Sequence, residues 1–302
     1  MRTDGTGPRV LVESAPDTAS ANIVRHVRER LRFEPMGEEL DGRPIERVVG
    51  GLPEGSPPVY LARIEGWHIE REGLGEAVVD ALGMPVEALV VASRHRAASG
   101  VASFTAHPVG NPGASADAGG EPGRCAPAHP HLLSAAYRNL RDSCRGSGLP
   151  HTVTLEATHH GPLTSVPVVF FEIGSSEEHY DDPRAGVVAA EAAVRTLGHV
   201  AEPDVPVVMG IGGGHYAPRF VALLDETRVS VGHVLASYHW NGDGSVAGEV
   251  LDRFLAASAA PGRALPDGVY VDRKSLKGPD RRDVLEHLEA RGVPVVRTAD
   301  LA

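Results

Sequence analysis

Apolar positions along this chain come in short strand-length runs, separated by stretches with helical spacing. Arg9–Glu13 reads as a first strand, and Asp17–Leu31 follows with Ile23, Val24, Val27 and Leu31 on one helical face. Asp17 or Thr18 is placed to cap that helix. Val59–Ile64 and Ala88–Ser93 are strand candidates on either side of a short helix at Leu74–Leu82. Helical patterns recur at His131–Arg145, Ala185–Leu197, 245–258 and 279–291. Strand patterns recur at Val153–Ala157, Val166–Ile173, Val205–Met209, Gly268–Val271 and Val293–Val296. Alternating strands and helices predict an α/β fold with a mostly parallel central sheet flanked by helices. Residues 110–130 are rich in Gly, Pro, Ala and Ser and read as a long mobile loop of the kind used as a lid or binding loop. The chain is therefore expected to form one domain over 1–302, with an insertion near 112–128.

With 302 residues and 42% hydrophobic content, the chain can bury a large core. No apolar run is long enough to span a bilayer, and the first residues carry no leader-like apolar stretch. A membrane is therefore not an expected partner, and two distant cysteines, Cys125 and Cys144, fit a reducing cytoplasm. The formal charge of −11 argues against broad nucleic-acid binding, so DNA is not an expected partner. It leaves room for a local basic patch around one RNA end, because fields are local at physiological salt. Of 29 basic residues only Lys274 and Lys277 are lysines, and both fall in the segment Asp272–Gly278. A compact ammonium that a guanidinium does not replace would explain their persistence.

Candidate chemistry collects where strand runs end. Gly210-Ile211-Gly212-Gly213-Gly214 follows a strand, but the third glycine of a dinucleotide fingerprint falls at His215, so that motif fails. Gly212, Gly213 and Gly214 can instead offer backbone N–H groups as an anion nest. Tyr216 stands beside it, and Arg219 lies in the first turn of a helix that Pro218 would start. A second cluster is Glu156, His159 and His160, followed by Gly161-Pro162. On a regular strand His159 and His160 would face opposite sides; Gly161-Pro162 is expected to end the strand there and let the pair converge. A third is Arg94-His95-Arg96, with His107 and Asn111 after the next strand-like run. Two arginines beside a histidine suit a phosphate or carboxylate. His233 is either a further member of the cleft or a satisfied core histidine. There is no GxSxG, HExxH or Walker A sequence. What remains is a histidine general base, or a metal such as Zn²⁺ held by two or three of His107, Glu156, His159, His160 and His215. The segments 93–111, 156–162 and 210–220 are expected to meet in one cleft, as loops after strands do in open α/β sheets.

Six segments, SRHRAASGVASFTAHPVGN (93–111), EATHHGP (156–162), FFEIGSSEEHY (170–180), GIGGGHYAPRF (210–220), GHVLASY (232–238) and DRKSLKG (272–278), together resemble the archaeal and plant type of D-aminoacyl-tRNA deacylase. The resemblance spans most of the chain. It implies a central mixed sheet similar to that of peptidyl-tRNA hydrolase and the nucleoside phosphorylases. It also implies dependence on zinc, and hydrolysis of the ester between a D-amino acid and the tRNA 3′ end. On that reading His159, His160, His215 and Glu156 serve the chemistry. Arg94, His95, Arg96, the glycine nest, Tyr216, Arg219, Lys274 and Lys277 hold the substrate. The competing readings are a metal-dependent hydrolase or acyl-transfer enzyme acting on another aminoacyl or peptidyl ester or amide, and a non-catalytic nucleotide or aminoacyl-tRNA binder. A monomer and a small homo-oligomer are both compatible with the sequence.

Overall fold

The computed structural model describes residues 7–202, 204–240, 246 and 248–301. In chain order the elements are β1 (Arg9–Ser14), α1 (Thr18–Arg28), β2 (Arg32–Leu40), β3 (Arg43–Gly50), β4 (Val59–Ile64), α2 (Leu74–Leu82), β5 (Ala88–Arg96), β6 (Ser103–His107), β7 (Gly110–Asn111), β8 (Arg124–Cys125) and α3 (Pro130–Arg145). There follow β9 (Thr152–Leu155), β10 (Val168–Ser175), α4 (Glu177–Tyr180), α5 (Pro183–Leu197), β11 (Val207–Ile211), α6 (Pro218–Glu226), β12 (Ser230–Leu235), α7 (Glu249–Ala257), β13 (Gly268–Val271), α8 (Gly278–Ala290) and β14 (Val295–Val296). Asp17 is the cap of α1, its carboxylate accepting from Ser20 N at 3.0 Å.

The larger sheet has eight strands in the order β2-β3-β4-β1-β5-β10-β6-β9. Its centre, β4-β1-β5-β10, is parallel. β6 runs antiparallel to β10, and β9 runs parallel to β6. The mostly parallel, mixed α/β architecture expected from the sequence is the one observed. Period-2 alternation divides the central strands between two faces: Leu11 and Val90 pack with α1, α3 and α5, while Val10, Val12, Leu89 and Val91 pack with α2. A second sheet, β12-β11-β13-β14, is wholly parallel. One of its faces joins the α3–α5 core through Val208, Val231 and Val234, and the other is covered by α7 and α8. No helix among the described residues is long and apolar enough to cross a membrane.

Two departures from the sequence reading have physical causes. The hairpin β2–β3 was not foreseen, because its strands are largely exposed and carry no clean alternation. The start of the helix expected over 245–258 falls partly on residues outside the described set, as do residues 1–6. Finally, the Gly/Pro/Ala-rich insertion is not structureless. β7 pairs with β8, and Asn111 Nδ2 donates to Gly119 O at 2.8 Å. Gly161 N donates to Ala118 O at 3.1 Å. A Cβ on Gly161 would lie 2.5 Å from the backbone of Gly119 and Gly120, so only glycine fits where the insertion crosses the Glu156–Pro162 segment.

Candidate functional site

Regular pairing of β9 stops at Leu155, and the chain then leaves the edge of the large sheet toward the small one. Glu156 N still donates to Ala106 O at 3.1 Å, but Ala157 N donates to His215 O at 2.7 Å and Thr158 N to Val234 O at 2.8 Å. The segment is thus stitched to the loops after β11 and β12. His160 adopts a left-handed backbone conformation with φ 45°, which breaks the strand alternation that would have separated it from His159. The two rings lie 4.4 Å apart instead. His107, at the end of β6, is 4.2 Å from His159 and 4.9 Å from His160 between ring centroids. His215 is 4.8 Å from His159. The three segments expected to converge do so, where β5, β6, β9 and β11 end.

Glu156 is the hub. Its fully buried carboxylate has Oε1 2.9 Å from His95 Nδ1 and Oε2 2.8 Å from His215 Nε2, with His159 Nε2 at 3.6 Å. Burial alone would push this carboxyl up, but the contacts with His215 and His95 outweigh it and hold the group well below its ordinary range. His95 in turn is raised, burial being overcome by Glu156, and its Nε2 lies 3.1 Å from Tyr216 OH. A second carboxylate, Glu172 on β10, accepts from Thr105 Oγ1 at 2.7 Å and lies 3.7 Å from His107 Nε2. Burial lowers His107, yet Glu172 and Glu156 leave it raised overall.

The imidazole orientations fit a metal. Nδ1 of His107, His159 and His160 faces a backbone carbonyl, of Pro108 at 3.1 Å, Ala157 at 2.9 Å and Gly161 at 2.5 Å. Such carbonyls take the Nδ1 proton and leave the Nε2 lone pair available, the arrangement around metal-ligating histidines. Burial drives His159 down to about 3 and His160 well below its usual value, so both stay neutral donors. His107 Nε2 and both Glu156 oxygens are buried with no aligned hydrogen bond, although His107 Nε2 lies 3.7 Å from Glu172 and the Glu156 oxygens lie 2.9 and 2.8 Å from His95 and His215. Ligand atoms of His107, His159 and His160 lie within 4.8 Å of one another, as do those of His95, Glu156 and His215, and of His107, Glu156 and Glu172. Nitrogen and carboxylate donors in this number suit zinc.

The cluster opens on a cavity of about 480 Å³ whose walls include Trp67, His68, Arg94, Arg96 and His215. Arg94 lies over the Trp67 ring at 4.4 Å, and its backbone N donates to Asp17 Oδ2 at 3.0 Å. His68 Nε2 is 2.9 Å from Ser93 Oγ, and burial lowers its pKa to about 3. Arg96 is exposed at the end of β5. Glu172, Trp67 and His68 were not singled out from the sequence, and Asp17 was read only as a helix cap. Glu172 had a signal, since a lone carboxylate in the buried run Val168–Ile173 must find a partner.

Other expectations shift. Gly212 N donates to Leu235 O at 2.8 Å and Gly213 N to Ser275 Oγ at 2.7 Å, so two of the nest's three amides are spent within the protein. Gly212 instead lets the Asp272–Ser275 segment approach, for a Cβ there would meet Ser275 Oγ at 2.5 Å and Asp272 O at 2.9 Å. Gly214 is exposed, and Arg219 stands exposed on the first turn of α6. Lys274 and Lys277 are exposed on the loop that backs the glycine turn. His233 is a core residue: Nε2 donates to Ala126 O at 3.0 Å, and Nδ1 lies 3.1 Å from Thr158 Oγ1. Its pKa is lowered to about 4 by burial, and its contribution is to pin the backbone next to His159.

The sequence profile of the D-aminoacyl-tRNA deacylase family matches residues 82–296. A D-aminoacyl-tRNA deacylase of Methanosarcina mazei is 34% identical over 96% of this chain and 92% of its own length. One from Aeropyrum pernix is 37% identical over 84% of this chain and 93% of its own. The solved structure of a conserved protein of unknown function superimposes with a TM-score of 0.81 at 28% identity, covering 98% of this chain and 96% of the other.

Proposed function

Because this chain belongs to the D-aminoacyl-tRNA deacylase family, we propose that it hydrolyses the ester joining a D-amino acid to the tRNA 3′ end, releasing both. The observation that carries this reading is the convergence of four imidazoles, His95, His107, His159 and His215, on the buried carboxylates Glu156 and Glu172, with His160 packed beside them, at the floor of a cavity lined by arginines. Zinc would be held by His107, His159 and His160, with Glu156, His95 and His215 beside them, and would supply Lewis acidity and an acidified water. Glu156 orients His95 and His215 through its two oxygens. His215, the most exposed imidazole on Glu156, takes the proton of the attacking water as its oxygen bonds the ester carbonyl carbon. When the carbonyl–ribose oxygen bond breaks, the proton goes to that ribose oxygen. Arg94 and Arg96 grip RNA phosphate, with Arg219, Lys274 and Lys277 as outlying cations and Gly214 N–H as the remaining amide of the glycine turn. Every residue of the cluster comes from one chain, so a single copy suffices. Two unpaired cysteines support work in a reducing cytoplasm.

The test is incubation with matched D- and L-aminoacyl-tRNA, with and without chelator, beside elemental analysis of tag-free protein. Hydrolysis of the D ester, abolished by chelation and restored by zinc, is expected. Full activity in chelator with no bound metal removes the zinc assignment and leaves the histidine base. No hydrolysis of either ester under any condition overturns the reading.

A further inference from the structure

His159 has a cavity on each side. One is the arginine-lined cavity of about 480 Å³; the other, of about 350 Å³, is walled by Asn111, the 112–115 turn, Tyr238 and His239. The two differ in charge. Arg94, Arg96, Asp17, Glu70 and Glu172 line the first. Among the described residues the second has no Asp, Glu, Lys or Arg in its wall, and burial lowers His239 to about 4. Its inner surface is largely Pro112, Gly113, Ala114 and Ser115, backbone and small side chains, closed by the Tyr238 and His239 rings, which are tilted 55° to each other with centroids 4.5 Å apart.

A scissile ester has two sides, and an enzyme that cuts it at one imidazole cluster needs a place for each. The RNA side is anionic and ends in a flat base. Phosphate calls for guanidinium groups, and a base stacks on aromatic or guanidinium planes. The first cavity offers both, Arg96 at its edge and the Trp67–Arg94 stack within. The acyl side is small and of variable shape. Resting on the deacylase reading, we infer that the 112–115 cavity receives the amino-acid side chain while the Trp67–Arg94 cavity receives the terminal adenosine. His159 then stands at the ester itself, between the two. The Gly/Pro/Ala-rich insertion is on this account a selectivity wall: small residues leave room for many uncharged side chains, and the lack of a charged partner disfavours acidic and basic ones.

Two variants separate the cavities. Ala114 is exposed, so Ala114→Phe narrows the second cavity without disturbing the core. It is expected to lower kcat/KM for D-Tyr-tRNA relative to D-Ala-tRNA at least tenfold. Trp67→Ala is expected to raise KM for both substrates together, leaving their ratio within about threefold. An equal fall on both substrates in Ala114→Phe overturns the assignment in favour of RNA in that cavity. No change on either overturns it as well, and so does a ratio change in Trp67→Ala. Wild-type protein inactive on both esters would instead sink the deacylase reading, and the unmodified enzyme measured alongside keeps the two failures apart.

Discussion

Glu156 is fully buried, yet both its oxygens touch imidazole nitrogens on opposite sides, 2.9 Å to His95 and 2.8 Å to His215. Replacing it by glutamine keeps the shape and removes the charge. The amide places an N–H donor where one imidazole now finds an acceptor, so at least one of the two rings loses its orientation. In Glu156→Gln we expect kcat/KM on D-aminoacyl-tRNA to fall by about 100-fold or more, in the range of a lost acid–base or metal-orienting group. KM should change little, because no RNA-gripping arginine is touched. Steady-state kinetics together with metal content check this; activity within about threefold of wild type would show that the hub is only structural.

At the scale of elements, the segment after β9 shows why the cluster exists. Thr158 Oγ1 accepts from Val234 N at 3.0 Å and lies 3.1 Å from His233 Nδ1, so one hydroxyl ties the segment to β12. Thr158→Val leaves the His233 nitrogen and the Val234 amide without their partner in a dry interior. The expected cost is about 1–3 kcal/mol, read as a lower denaturation midpoint with an unchanged slope. A variant as stable as wild type would mean that water replaces the hydroxyl. The same segment marks how far sequence alone reaches. Periodicity located β1, β4, β5 and β10 and most helices, because burial on one or both faces writes a repeat into the residues. It also located the histidine pair, and Gly161-Pro162 marked a strand end near it. It did not show that His160 would take a left-handed conformation, or that Glu172 and His68 would complete the floor. Those depend on cross-strand register, such as Glu172 opposite Thr105 and Ser93, which no local pattern records. The hairpin β2–β3 escaped for the opposite reason, since an exposed edge imposes no alternation.

Across the whole molecule, a further buried carboxylate does unrelated work. Glu87 sits between Arg9, with Nη2 at 3.0 Å, and His129, with Nε2 at 2.9 Å, and Arg9 also donates to the carbonyls of Thr196, Leu197 and His199. The group joins the starts of β1 and β5 to the end of α5 and the cap of α3. Burial pushes the Glu87 carboxyl up, but His129 and Arg9 outweigh it and the net shift is downward from 4.5. A depressed folded-state pKa contributes stability that is present above the unfolded value and is lost as pH falls through the folded value. Wild type should therefore lose this contribution only below about pH 4.5, as expected of an ordinary unfolded glutamate. Glu87→Gln should be destabilised at neutral pH by about 3–5 kcal/mol, as when one partner of a buried pair is removed. Its stability should also vary less than that of wild type in the acid range. Denaturant melts of both proteins from pH 3 to 7 test this; parallel curves would remove Glu87 from the acid response.

Neither sheet owns the constellation. Glu172 and His107 belong to the large sheet and His215 to the small one, and the amides of Ala157 and Thr158 bond across the seam. A sliding of one sheet past the other would take the ester-cleaving groups out of reach while each sheet kept its own ladders. The catalytically competent fraction is then a count of docked molecules, and a cation clasped at the seam would favour docking in proportion to its own occupancy. Warmth or mild denaturant would silence this protein by undocking, before its secondary structure records any change.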